Sequence, residues 1–205
     1  MTLKVDLLAP VMKGCGLRFL GFRYSTGIPA FAAGMVTSCY PGEGRRDRTV
    51  GLDDPALVPK ANADWYALAT EYGLFSAKRQ FLLSINVPIG SDEGETAPGN
   101  EMVEPVWGLV ELLEDWDIMG KGAAAGITGG PYGRPAFVMS ALDGSVFVQG
   151  TVWQDCIGTA VLPNPHRVQS LRNVVQRSVG KPYRTAAENE DALTWLARGD
   201  DGRPS

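Results

Sequence analysis

Histidine is nearly missing from this chain. His166 is the only one in 205 residues, so any site that relies on an imidazole base or ligand has to be built around it. Cysteine is scarce as well, with Cys15, Cys39 and Cys156 alone. An odd count at wide spacing argues against a disulfide framework. The three are read as reduced thiols, in keeping with synthesis in the cytoplasm. No two of these four residues stand at local ligand spacing, so no metal centre is expected, and no motif calls for a cofactor. Long apolar runs are lacking too: none approaches the roughly 18 residues of a membrane span. Met1 to Asp6 has no apolar signal-peptide core. The expected product is made in the cytoplasm without a signal peptide and then taken into a virion or another assembly. Positive charge is not in excess, at a net −4 and a pI near 5.1. A nucleic-acid-binding face is usually basic, so nucleic acid is not an expected partner.

What the chain does hold is ordinary globular composition, 44% apolar and 20% charged, with 25 glycines and 14 prolines. Many turns and short elements follow from the last two numbers. The best-specified stretch runs from Pro135 to Val179. Asp143-Gly144 lies between two β-rich runs and predicts a hairpin closed by a type I′ turn. Cys156 to Leu162 then returns along the second strand after a turn near Gln154-Asp155. Asn164 is placed to cap a helix beginning at Pro165, with Val168, Leu171 and Val175 as its buried stripe.

The rest is read in order. Leu3 to Leu8 is a short apolar stretch stopped by Pro10. Leu17 to Tyr24 and Phe31 to Tyr40 read as two strands that could pair as a hairpin. Pro41 to Asp54 reads as a polar loop. Lys60 to Tyr72 is a helix with Trp65, Leu68, Ala69 and Tyr72 on one stripe, closed by Gly73. Gln80 to Ile89 alternates as a strand with one buried and one wet face. Pro105 to Met119 reads as a helix with Val106, Leu109, Val110, Leu113 and Trp116 inward, its acidic end opposing the helix dipole. Thr185-Ala-Ala-Glu188 matches a capping box for a last helix bearing Ala192, Leu193 and Leu196. The fold class expected is α+β, a single domain over residues 1–198. A largely antiparallel sheet, built of hairpin and meander, carries three to four helices, mostly on one face. The loop at 91–101 offers an internal break, and residues 199–205 form a polar tail.

Few residues suggest chemistry. Gly120 to Arg134 holds six glycines and Lys121, but a P-loop needs Ser or Thr after its Lys and a strand before it. Cys156, His166 and Asp155 could form a nucleophilic site only if the fold brings them together. The acidic groups Asp92-Glu93, Asp53-Asp54 and Glu114-Asp115-Asp117 read as solvated. The residues singled out for contact with a partner are Gly122, Gly126, Gly129 and Gly130 of the glycine segment, Arg45, Arg46 and Arg48 of the polar loop, and Trp107. The expectation is a non-enzymatic structural or assembly protein, a subunit of a larger particle such as a virion or phage tail. It would act through contacts with other protein subunits in a homo- or hetero-oligomer. The alternatives are a small immunity- or adaptor-type binding protein, or an enzyme with a non-local site near Cys156 and His166.

Overall fold

In the computed structural model, residues 5–88 and 103–198 are described. The proposed break at 91–101 and the tail at 199–205 lie outside them. The fold is α+β, built on one antiparallel sheet of seven strands in the order β1-β4-β3-β5-β6-β7-β2. Its strands are β1 Leu17–Arg23, β2 Arg46–Gly51, β3 Gln80–Pro88, β4 Val103–Leu112, β5 Phe137–Ser140, β6 Val146–Val152 and β7 Cys156–Pro163. The helices are α1 Val5–Gly14, α2 Ala30–Ala33, α3 Leu57–Glu71, α4 Gln169–Ser178 and α5 Ala186–Arg198.

The helices cover both faces of the sheet, not mostly one. Beneath α1 and α3 lies a core of Met12, Leu17, Trp65, Leu68, Phe81, Leu83, Val110, Ile118, Met139 and Val161. Beneath α2, α4 and α5 lies a second core of Ile28, Leu82, Trp107, Phe147, Leu162, Leu171, Val175 and Trp195. Leu82, the one residue breaking the alternation of β3, is buried because its own face is also covered.

That double covering explains the largest correction. Pro105 to Met119 is not a helix. Its first part is β4, between β1 and β3. A strand buried on both sides carries apolar residues at both parities, so Val106, Leu109 and Val110 satisfy helical spacing by coincidence. Gly108 settles the packing locally: a Cβ there would stand 2.4 Å from Ile85 Cδ1 and 3.1 Å from Phe19 Cε2. Pro105 is tolerated because the ladder with β1 ends at Trp107, so β4 has one strand neighbour there. The acidic end needs no compensation for a dipole, and Glu111 instead pairs with Arg18 across β1 at 3.1 Å.

Three further readings change. Phe31 to Tyr40 forms α2 and a 3-10 turn at Val36–Ser38, and pairs with nothing as a strand. Ala30, Ala32 and Ala33 are poor β formers, and as small residues they let this short helix lie against the sheet. Within Pro41 to Asp54, residues Arg46–Gly51 are strand β2, paired with Val161–Cys156 of β7. An edge strand need not be apolar, and its charges discourage further pairing. Pro10 does not stop the first element. It sits inside α1, giving up one backbone bond, while Leu8 and Met12 pack into the first core.

The meander stands as read. β5 pairs with β6 and β6 with β7, the second connection turning at Gln154-Asp155. The Asp143-Gly144 turn has a different type. Gly144 alone is left-handed, at φ 76°, and its N–H donates to the Ala141 carbonyl at 3.0 Å, so four residues close the loop instead of two. Asn164 makes no side-chain cap. It is itself left-handed at φ 50°, Pro165–Arg167 is a 3-10 turn, and α4 starts only at Gln169. The capping box at α5 is present in both halves, with Glu188 N–H to Thr185 Oγ1 at 3.2 Å and Thr185 N–H to Glu188 Oε2 at 3.0 Å. Trp195 fills the core from α5, and Leu193 is exposed.

Candidate functional site

β3 and β5 are neighbours for only two residues each, Leu82 with Ser140 and Leu83 with Met139. Beyond Leu83 they part. The chain leading into β5 bonds to itself: Ala136 N–H donates to the Thr128 carbonyl at 2.9 Å and Gly130 N–H to the Arg134 carbonyl at 2.8 Å, so residues 128–136 form a small hairpin. A cleft of about 580 Å³ opens between that hairpin, α1 and β3, lined by Leu8, Met12, Ser84, Ile85, Asn86, Ala123–Ile127, Gly129, Gly130, Tyr132, Gly133 and Ala136. A second hollow of about 350 Å³ lies on the α2 side of the sheet. It shares Ser84, Asn86 and Ala136 with the first. The two therefore meet at the parting of β3 from β5.

The near wall is held by a clasp. Asp117 Oδ1 accepts from Asn62 Nδ2 at 2.7 Å and from Gly120 N–H at 2.8 Å, and its Oδ2 from Lys121 N–H at 3.0 Å. Asn62 Oδ1 accepts from the N–H groups of Ile118 and Met119 at 3.1 and 2.9 Å. The result is one π-helical turn, Ile118–Gly122, anchored to α3. Burial pushes the Asp117 carboxyl up, but the donations from Asn62, Lys121 and Gly120 outweigh it and hold the group below the usual aspartate range. From this turn the chain continues to Thr128, whose hydroxyl donates to the Ile118 carbonyl at 2.5 Å.

The lip carries the oddest residue. Tyr132 is left-handed at φ 66° and 97% exposed, and Gly133 after it is left-handed too. For a bulky L-residue that conformation is strained by about 1–2 kcal/mol. Among the described residues, no carboxylate, amine, guanidinium, imidazole or thiol lines either hollow. The chemistry offered is neutral: the hydroxyl of Ser84, the amide of Asn86, backbone groups, and walls of glycine and alanine.

The glycines chosen from sequence fall partly here. Gly126, Gly129 and Gly130 line the cleft. Gly122 packs inward, where a Cβ would come within 2.5 Å of Thr128 Oγ1. The arginines are elsewhere, on and beside β2. Arg45 donates to the carbonyls of Thr37 and Cys39 and to Asp47, and Arg48 pairs with Asp64 at 3.3 Å. Arg46 is exposed, its guanidinium on the Arg45 carbonyl. Trp107 is no surface aromatic. It is 2% exposed, with its indole N–H on the Ile28 carbonyl at 2.7 Å.

Cys156 and His166 are not brought together. Cys156 opens β7 and His166 follows its far end, and the strand between them spans about 23 Å at about 3.3 Å per residue. Burial, then Arg167, Arg198 and Arg172, hold the His166 pKa below its usual value. Burial likewise raises the Cys156 thiol. Among the described residues no cluster of His, Cys, Asp and Glu could hold a metal ion, and no helix is long and apolar enough to cross a membrane. Sequence reasoning missed Ser84, Asn86 and Tyr132. The first two were read as the wet side of a strand, and only the Pro131-Tyr132-Gly133 turn composition marked the third. The chain matches no protein-family model, no curated protein and no solved structure.

Proposed function

We propose that this protein works by binding another polypeptide, as a non-enzymatic subunit of a larger assembly, and that the cleft beside the glycine hairpin is where the contact is made. A virion or phage-tail component is one instance of such a subunit. The observation that supports this is the lining itself. It combines hydrogen-bonding groups without charge, small side chains that allow close backbone approach, and an exposed aromatic ring at the mouth. Aromatic residues of that kind are frequent anchors in protein interfaces. A general acid or base would require an ionisable group held in the cleft, and among the described residues the lining supplies only the phenol of Tyr132.

The test is a photo-crosslinking amino acid placed at Tyr132, and separately at Tyr40, in the native cell. Tyr40 is 71% exposed and precedes β2, away from the cleft. Discrete polypeptide adducts from position 132 that are lacking from position 40 are expected. No adduct from position 132, or the same adducts from both positions, would refute the proposal.

A further inference from the structure

β3 is the third of seven strands in the sheet, an interior strand. Interior strands ordinarily bond on both sides. From Ser84 to Val87 this one is paired only with β4, opposite Trp107, Val106, Pro105 and Glu104. If the register at Leu83 and Met139 continued, Val138, Phe137 and Ala136 would lie against Ser84, Ile85 and Asn86. They do not pair, because the hairpin before β5 has taken up the groups of Ala136 and Arg134. The pairing of Leu83 with Met139 takes the Ser84 N–H to the Val138 carbonyl, and Ile85 and Val87 turn their backbone groups to β4. On the β5 side, the Ser84 carbonyl and the N–H and carbonyl of Asn86 have no strand partner among the described residues.

The two outer edges of the sheet are protected and this one is not. β2 carries Arg46, Asp47 and Arg48, all exposed, and β1 is broken by a bulge between Phe19 and Gly21. Charges and bulges are what natural sheets use to discourage added strands. Ser84, Ile85, Asn86 and Val87 carry neither, and the open stretch ends at Pro88, which has no N–H to offer.

We infer that the gap accepts an extended, uncharged segment of a partner polypeptide, bonded to the backbone of Ser84 and Asn86 as an added strand. This rests on the binding role proposed above and assigns its mode. The Ser84 carbonyl and the N–H and carbonyl of Asn86, two residues apart on one side of the strand, present acceptor, donor and acceptor in turn, a pattern that another backbone complements directly. The facing wall of Gly129, Gly130 and Ala136 leaves room for main chain. The incoming side chains alternate between the apolar side, at Met12 and Ile85, and the side of Ser84 and Asn86. Tyr132 stands at the entrance.

The probe is a library of random uncharged peptides of about ten residues, long enough for one strand, screened against the purified full chain. The tightest binder is then N-methylated at one backbone amide at a time. Loss of one backbone bond weakens binding by about tenfold, so alternate positions should lose about tenfold and the positions between them little. Asn86→Trp, a good strand former at an exposed position, should abolish peptide binding while leaving the urea midpoint unchanged. Because methylation alters the peptide alone, the result does not depend on that variant folding. Failure of any peptide to bind tighter than about 1 mM overturns the inference, as does a methylation profile without the alternation. Polypeptide adducts at position 132 together with a flat methylation profile would leave the binding role standing and remove the added strand.

Discussion

Asn62 is the residue on which the wall of the cleft depends, and its replacement can be worked out in advance. Ala at this position leaves the N–H groups of Ile118 and Met119 without their acceptor. Both residues are buried, at 0% and 2% exposure, so water does not replace it without rearrangement. A buried backbone donor left unmade costs about 1–3 kcal/mol. Asp117 also loses one of its three donors. The total comes to about 3–5 kcal/mol, a large share of the roughly 5–15 kcal/mol that holds a domain together. Urea unfolding reads the loss directly, and hydrogen exchange should show the amides of residues 118 and 119 opening first.

Asn62→Asp separates this account from a mere packing defect. The variant keeps the acceptor oxygen that serves both Ile118 and Met119 but sets a second carboxylate against Asp117 in place of its donor. Two carboxylates at such a distance cannot both stay ionised cheaply, so one of their pKa values rises. A group whose folded pKa is raised contributes stability below its unfolded value and loses it as pH rises through the folded one. The variant should therefore recover stability on acidification from pH 7 towards about pH 5, as the shared proton restores the bond. The parent protein behaves oppositely. Its Asp117 is held below the usual range, so the contribution is full above the ordinary aspartate pKa and fades only as pH falls below it. A loss under about 1 kcal/mol for Asn62→Ala, or a gap between Asn62→Asp and the parent that does not narrow on acidification, would refute the clasp.

Gly144→Val should destabilise the β5–β6 hairpin by about 1–2 kcal/mol for the left-handed backbone alone, with more from a Cβ only 3.0 Å from Ile28 Cγ1. Gly144→Asn should lose less, since Asn tolerates that region, and chemical denaturation of both checks the order. His166→Gln should leave partner binding intact. Because burial and the three arginines hold the folded imidazole below its usual pKa, the parent loses stability as pH falls through the ordinary histidine value; the variant should lack that slope in unfolding titrations between about pH 7 and pH 5. Tyr132→Asn should match the parent in stability or exceed it by up to about 1 kcal/mol through relief of backbone strain. It should nonetheless bind the selected peptides less well, and calorimetry with urea unfolding measures the two effects separately.

What sequence reasoning reached, and what it missed, divides by the range of the interactions. The β5–β6–β7 meander, the body of α3, and the capping box at Thr185 and Glu188 are set by residues a few positions apart, and local rules found them. β4 was mistaken for a helix because its periodicity reflects two cores. The second of these, around Trp107, Leu82 and Trp195, comes from segments far apart in sequence. β2 escaped notice because an edge strand is held by its partner β7 and not by its own apolar pattern. The cleft was invisible for a similar reason. It exists because β3 and β5 separate after two paired residues, and nothing within either strand encodes that separation. Ser84 and Asn86 only acquire their meaning once the strand that should cover them has turned aside.

The glycine segment shows how an entropic argument from sequence must be refined by geometry. Ordering glycine costs more than ordering any other residue, and burial against a neighbouring chain is one way to offset that cost. Gly122 and Gly129 have an internal reason to be glycine, since a Cβ would fall 2.5 Å from Thr128 Oγ1 in the one case and 2.1 Å from the Ala123 carbonyl oxygen in the other. Close packing within the domain therefore offsets the cost at these two positions. Tyr132 has no such reason. Its backbone is strained, its ring is almost wholly in water, and Gly or Asn would satisfy the turn at lower energy. The strain secures no contact that stabilises the fold. Its effect is to hold an aromatic ring at the mouth of an uncharged cleft beside an open strand edge. The case for an external partner thus rests on this tyrosine more than on the glycines around it.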